Sequence, residues 1–496
     1  MSRLKRIAAW IEDRLGLGKS MQPMMDHQIP RRTASFFYVF GSAAMTALAV
    51  QLVTGVMLAL VYVPAADMAY DSLLHLTFVQ PLGWFLRGVH GWGSNVMVAC
   101  VFLHMIQVVI FAAYKYPREL TWVVGVLLLL CTVGMAFTGQ VLRWDSDAYW
   151  GLGIGASIMG RIPFIGPEVV HVLLGGPIIG GEALTRFFAL HVFVIPASLI
   201  GLLVVHLMLV LKNGVNEWPI AGRRVDKKTY RENYEKQVEG KRGVPFWPVA
   251  AKKDMIFSAC VIFVILLCAA IIGPIGPSGP PDPGIIDTEP RPDFLFLSLF
   301  AVMALLPPHL ETAFILIVPV LAIGLLIAVP FLSGDGEKHW SRRPVALIVL
   351  GLVVINFVVF SQLGVTSPWS PEMKAWSGTP TPVEYVEGRT PLELQGALVL
   401  QNMQCRNCHS LDGEGGRRGP ALDAVAARMT ENQLIRQVLQ GHGNMPAYGG
   451  HLSPPEVTAL VSFLRTLNGG GIRPRARPSI MPAKPGGPSA APDVGR

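Results

Sequence analysis

Apolar residues gather into runs of about 20, the length that carries a helix across a bilayer core, and polar residues are confined to the intervals between them. Seven such runs can be drawn, over residues 37–63, 90–113, 121–141, 187–211, 254–273, 310–332 and 344–363. Ahead of them, Met1–Lys19 is short, basic and amphipathic, with Ile7, Trp10, Ile11 and Leu15 on one helical face. It lacks the unbroken apolar centre of a secretory signal. It therefore predicts an interfacial amphipathic segment over 1–30, the alternative being a disordered basic leader. Beyond the seventh run, residues 366–390 are rich in Pro, Ser, Thr and Glu and predict a linker. Residues 391–468 predict a small polar domain, and 469–496, dominated by Gly, Pro, Ala and Arg, a disordered tail.

Composition sharpens this picture. Of 496 residues, 51% are hydrophobic and 15% charged, too few charges for a soluble multidomain enzyme, which carries about 25%. The formal net charge of +8 invites a nucleic-acid reading, but the Lys and Arg lie between apolar runs, where they orient a membrane protein; no nucleic-acid partner is expected. The loop 212–253 holds eleven Lys and Arg. Lys115 and Arg118 follow the second run, and Lys338, Arg342 and Arg343 the sixth. The loop 64–86 has none, and 274–309 only Arg291. By the positive-inside rule the N-terminus is cytoplasmic. Seven spans then put everything after residue 363 on the outer side, as expected for a bacterial inner-membrane protein.

Four histidines stand out inside the apolar runs. His90 and His104 are 14 residues apart on span two, and His191 and His206 are 15 apart on span four. Both intervals are close to four helical turns, so each pair shares one face, its members separated by roughly 21–22 Å. Two such helices side by side can sandwich two stacked haems, with His90 and His191 on the outer iron and His104 and His206 on the inner. Histidines that merely bond within the bundle would bury costly imidazoles four times without a role. Gly41 and Gly55 on span one, and Gly125 and Gly139 on span three, repeat the 14-residue interval. Without side chains they let a flat macrocycle approach the backbone, though small residues also serve plain helix packing. Arg87 and Arg186 are candidates for the propionates of the outer haem, or else interfacial anchors.

Of six cysteines, Cys100, Cys131, Cys260 and Cys268 lie in apolar runs and make no disulfide scaffold. Cys405 and Cys408 open C-x-x-C-H with His409, the attachment signature of a c-type haem. The thiols would form thioethers to the haem vinyls, and His409 would be one axial ligand. Met445, in Gly443-Asn444-Met445-Pro446, is the preferred sixth ligand over Met429. Val457, Leu460, Val461, Phe463, Leu464 and Leu467 predict a final packing helix.

These residues resemble the cytochrome b of cytochrome bc1/b6f complexes. The resemblance is carried by Gly83-Trp84-Phe85-Leu86-Arg87-Gly88-Val89-His90, Pro117-Arg118-Glu119-Leu120-Thr121-Trp122 and Leu184-Thr185-Arg186-Phe187-Phe188-Ala189-Leu190-His191. Ile162-Pro163-Phe164-Ile165-Gly166 looks like the hinge of the family's outer-surface helix pair, and the 15-residue step on span four like its plastid and Gram-positive branch. The implied fold is an all-α membrane protein. A four-helix di-haem bundle over 31–215 is followed by three further transmembrane helices over 216–365, and then by a small all-α cytochrome c domain.

The resemblance implies two non-covalent haems b and one covalent haem c, quinol oxidation at the outer face and proton translocation. Implied partners are quinol and quinone, a Rieske iron–sulfur protein, an outer-side cytochrome c or other acceptor, and a second copy in a homodimeric complex. The family's quinol-site motif Pro-Glu-Trp-Tyr becomes Pro292-Asp293-Phe294-Leu295 here. Asp293 keeps a carboxylate as proton acceptor on a shorter arm, the alternative being a plain surface acid. Val39 stands where the b6f branch carries a cysteine for an extra covalent haem, so none is expected on span one. Two other functions compete: a di-haem b anchor relaying electrons linearly, and a non-catalytic tether for the cytochrome c domain.

Overall fold

The structure is a computed structural model describing residues 6, 25–176, 179–239, 242–281, 292–366, 381–403, 405–407, 409–415, 419–441, 445, 448–449 and 452–469. Met1–Lys19 apart from Arg6, Arg291, Cys408, positions 367–380 of the expected linker and the tail past Gly469 lie outside the described residues.

The chain divides into two compact units, the first holding residues 1–282 and 288–371. Its helices are α1 (Phe40–Ala59), α2 (Ala69–Phe78), α3 (Gly83–Ile110), α4 (Glu119–Val141), α5 (Ser146–Gly160), α6 (Gly166–Leu174), α7 (Gly181–Asn213), α8 (Tyr230–Val238), α9 (Ala251–Ile271), α10 (Leu297–Leu305), α11 (Pro308–Leu332) and α12 (Pro344–Thr366). Seven of them, α1, α3, α4, α7, α9, α11 and α12, are long and apolar enough to cross a membrane, and the protein is a multi-pass membrane protein. Helices α3 and α7 begin earlier than the apolar runs, because Arg87, Glu182 and Arg186 interrupt the apolar pattern without interrupting the helix.

Small residues set the spacing. Ala43, Ala47, Val89, Cys100, Ile265 and Ala269 form one buried cluster joining α1, α3 and α9. A methyl group at Gly88 would lie 3.1 Å from Ala269 Cβ, so this glycine lets α3 and α9 close up, as packing in lipid requires.

The connections meet in two groups at opposite ends of α3. Near its C-terminus, the buried Arg118 donates to the carbonyls of Asn213, Gly214 and Val215 and, at 2.6 Å, to Tyr230 Oη. Lys338 Nζ lies 2.9 Å from Asn216 Oδ1 and 3.0 Å from Glu217 Oε1. Strand β1 (Gln28–Pro30) pairs antiparallel with β2 (Gly243–Pro245). Residues 28–30, the end of the expected N-terminal segment, are thus a strand with Ile29 buried. Near the N-terminus of α3, Trp144 Nε1 donates to the Ala66 carbonyl at 3.1 Å and Asp145 accepts from Ser278 N at 3.1 Å. Helices α5 and α6 form a pair turned at residues 161–165, where Phe164 is 99% exposed at φ +67.

The second unit comprises residues 372–496 together with 283–287. Its main helices are α13 (Pro391–Asn402), α14 (Glu431–Gln440) and α15 (Pro454–Leu464). Each opens on a capping box, Thr390 with Glu393, Thr430 with Gln433 and Ser453 with Glu456, so side chains satisfy the first free N–H groups. Gly396 admits the Ala459 backbone, bringing α13 against α15 over buried Leu400, Leu460 and Phe463. The expected linker ends before 381. Thr381 N donates to Gln401 Oε1 at 3.0 Å, and the buried Tyr385 donates to Asp423 Oδ1 at 2.6 Å. A segment of linker-like composition is thus held against the domain through Thr381 and Tyr385.

Candidate functional site

The four histidines stand on α3 and α7, and a glycine of the neighbouring helix faces each one. A methyl group at Gly55 would lie 3.2 Å from His90 Cε1, at Gly41 3.3 Å from His104, at Gly139 2.7 Å from His191 and at Gly125 3.5 Å from His206. Helices α1 and α4 therefore present glycine where α3 and α7 present imidazole.

The 15-residue step has a local cause. Fifteen steps of a straight α-helix overshoot four turns by about 60°. Leu190–Val194 is a π-helical turn that starts one residue before His191, and such a turn absorbs an extra residue. His191 and His206 thereby keep one face despite the longer interval.

His90 and His191 approach with ring centroids 6.4 Å apart, a spacing that admits one metal ion bonded to each ring at about 2 Å. Their tautomers follow from the neighbouring hydroxyls. Thr54 donates its proton to the Val50 carbonyl at 2.7 Å, so at 2.8 Å from His90 Nδ1 it can only accept. Thr138 likewise donates to the Gly134 carbonyl at 2.8 Å and accepts from His191 Nδ1 at 3.0 Å. Both Nδ1 atoms carry hydrogen, which leaves each Nε2 lone pair free for a metal. Nothing in the helix periodicity singles out these threonines; each directly precedes a cradle glycine, and that adjacency was the available signal. The buried Nδ1 atoms of His104 and His206 have no hydrogen-bond partner among the described residues. Each pair would offer two imidazoles, a donor set that fits a metal held by a macrocycle.

The two arginines are engaged by protein groups. Arg87 is buried, donating to Thr77 Oγ1 at 2.7 Å and to the carbonyls of Ile275 and Gly276. Arg186 donates to the carbonyls of His171 and Val172. Arg87 thus ties the connection after α9 to α3.

Asp293 lies just ahead of α10, its backbone carbonyl accepting from Phe296 N at 2.9 Å. Phe296 packs edge-on against Phe137 at 6.1 Å, and Phe137 against Phe187 at 6.0 Å. An aromatic chain therefore links this loop to α4 and α7 beside Thr138 and His191. The Asp293 carboxylate is 40% exposed and sits 4.0 Å from Arg143 Nη1. Burial raises its pKa above the ordinary carboxylate value, Arg143 opposes the rise, and Asp145 and Asp147 add to it.

In the second unit, Cys405 is half-buried, while Cys408 lies outside the described residues. His409 Nδ1 donates to the Pro420 carbonyl at 2.8 Å, leaving its Nε2 free, and Gly419 closes against the ring. Burial lowers the His409 pKa, with the Pro420 carbonyl opposing. Met445 Sδ accepts from Gln437 Nε2 at 3.4 Å, which sets it beside α14.

Two family models match the chain. That described as Cytochrome b/b6/petB covers residues 24–214, and that described as Cytochrome C oxidase, cbb3-type, subunit III covers residues 393–464. The menaquinol:cytochrome c reductase cytochrome b subunit of Geobacillus thermodenitrificans is 34% identical over 220 residues, 43% of this chain and 98% of that protein. The chain belongs to the cytochrome b family. The cytochrome bc complex cytochrome b subunit of Chlorobaculum thiosulfatiphilum is 29% identical over 381 residues, 74% of this chain and 83% of that relative, a match too long to stop at residue 214. A chain of a solved hyperthermophilic respiratory complex III shares the fold, with TM-score 0.61 and 24% identity over 80% of this chain and 96% of that one. This cytochrome b chain thus continues, within one polypeptide, into a cytochrome c domain.

Proposed function

We propose that the chain is the haem-carrying membrane subunit of a quinol:cytochrome c oxidoreductase of the bc type. The observation that carries this reading is the facing of His90 and His191 together with a glycine opposite each of the four rings. His90 with His191 and His104 with His206 would each hold one non-covalent haem b. Cys405, Cys408, His409 and Met445 would hold one covalent haem c. Bound there, the haems supply one-electron acceptors for the electrons of quinol. No covalent haem is assigned to span one, where Val39 is buried at 1% exposure.

The chain's own residues handle the proton. Asp293, ionised, takes a proton from a quinol hydroxyl; that O–H bond breaks and one forms on the carboxylate, which then releases the proton to the outer face. Pro292 fixes the backbone ahead of it. Oxidation at the outer face with release there makes the chain a proton-translocating component of a respiratory chain in a bacterial inner membrane. The N-terminus is cytoplasmic and the cytochrome c domain lies outside. Its partners are a Rieske iron–sulfur protein, a cytochrome c or other outer acceptor, and a second copy of the complex. The domain plan follows the sequence reading, with the linker shortened to end before 381.

The test is oxidant-induced reduction in membranes: quinol is supplied, the inner quinone site is blocked, and oxidant is pulsed while b-haem absorbance is followed. Haem b becoming more reduced as haem c oxidises is the expected result. Oxidation or silence of haem b would favour the linear di-haem relay instead.

A further inference from the structure

Arg143 is the hub of the charged groups around Asp293. Its Nη1 lies 4.0 Å from Asp293 Oδ1, its Nε 3.3 Å from Asp145 Oδ2 and its Nη2 3.7 Å from Asp147 Oδ2. The three carboxylates differ sharply in how they are held. Asp145 is fully buried and fixed by Ala148 N at 2.9 Å and Ser278 N at 3.1 Å, so it caps α5 and anchors the guanidinium. Asp147 and Asp293 are 41% and 40% exposed, and Arg143 sits between them. Arg87 completes the group, buried against the Ile275–Gly276 backbone that also borders Asp145 and Arg143. Two guanidinium cations face three carboxylates, so the cluster is charge-balanced when one carboxylate is protonated. Asp293 is the one with the longest cation contact and no competing structural bond to its carboxylate among the described residues.

We infer that Arg143 is a positioning residue for Asp293, with Asp145 as its anchor and Asp147 as its counterweight, and that this balance sets the pH range over which quinol is oxidised. The inference rests on Asp293 being the proton acceptor. Asp293 must be ionised to accept, so the rate rises with pH through its pKa. Removing the cation disfavours the carboxylate and moves the acid limb of the rate profile to higher pH. Removing the charge of Asp147 favours the carboxylate and moves the limb to lower pH. At this exposure each shift is roughly half a pH unit, about a threefold change in rate on the acid limb.

The experiment measures quinol-dependent cytochrome c reduction against pH in the assembled complex, with b-haem spectra recorded on every sample. Arg143→Gln is expected to shift the limb upward, Asp147→Asn downward, and Arg143→Lys to restore the original profile. Opposite shifts from two substitutions in one cluster are not what loosened packing produces. Asp147→Asn leaves the buried Asp145–Arg143 pair intact, so it stands if Arg143→Gln fails to assemble. Unmoved limbs, or limbs moved in one direction by both substitutions, would overturn the inference. Asp293→Asn separates the two claims. If it keeps full activity and the same acid limb, the proton-acceptor reading itself fails; if it loses activity while the other variants leave the limb in place, only the role of Arg143 fails.

Discussion

The four cradle glycines are not equivalent at the level of single atoms. A methyl group at Gly139 would come 2.7 Å from His191 Cε1, inside any real carbon contact, whereas one at Gly125 would meet His206 at 3.5 Å, an ordinary van der Waals distance. His191 cannot retreat freely, because its Nδ1 is tied to Thr138 on the same helix as Gly139. Gly139→Ala is therefore expected to displace the ring and remove the haem of that pair, about half of the b-haem absorbance in a reduced-minus-oxidised spectrum. Gly125→Ala is expected to leave it near the wild-type level. Equal losses would mean that the macrocycle alone, not the histidine contact, demands glycine. The threonines act in the same place by a different route, since a ligand held by a hydrogen bond at Nδ1 presents Nε2 in a fixed direction and with higher basicity.

Among the elements, α7 shows what a sequence reveals and what it hides. The interval of 15 between His191 and His206 was legible as a shared face, but its π turn was not. No residue type marks such a turn, and only the neighbours' geometry compels it. The turn is spare length, which gives α3 and α7 different tolerances. Deleting Val192 from α7 is expected to straighten Leu190–Val194 into α-helix and retain both b haems, because 14 steps fall only about 40° short of four turns. Deleting Val96 from α3 has no such reserve and should cost one haem; loss of a haem from the α7 deletion as well would show that the π turn is itself required. The seven spans and the haem-type motifs were legible because each repeats one residue type at a period set by the helix. The inner connections were not. The buried set of Arg118, Glu217, Tyr230 and Lys338 joins residues over 200 positions apart, and no local pattern announces such a partnership. Burial alone would raise the Glu217 carboxyl, but Lys338 and Arg118 outweigh it and hold it down at about 2. The carboxylate's contribution to stability is therefore present above its unfolded pKa and lost as pH falls from there through about 2.

For the whole molecule, the proposed sidedness draws on the charge of the connections and on which of them meet. The charge count puts the Lys- and Arg-rich connections on one side. The structure gathers those same connections: Lys115 donates to the Asp335 carbonyl, Arg118 reaches 213–215, Lys338 reaches Glu217, and Arg343 reaches the Val109 carbonyl at 2.9 Å. The basic connections thus meet at the His104 end of α3, while Asp145, Asp147 and Asp293 meet at the His90 end. If the basic end is cytoplasmic, seven spans carry the chain after Thr366 to the other side, with Asp293 and the cytochrome c domain on the same face of the membrane. Reporter fusions decide this. A periplasm-dependent phosphatase joined after Thr366 is expected to be active, and one inserted near Lys228 inactive. Reversed activities would place Asp293 on the cytoplasmic face, where oxidation of quinol would release protons on the wrong side to build a gradient. That outcome would remove proton translocation from the proposed function while leaving the haem sites untouched.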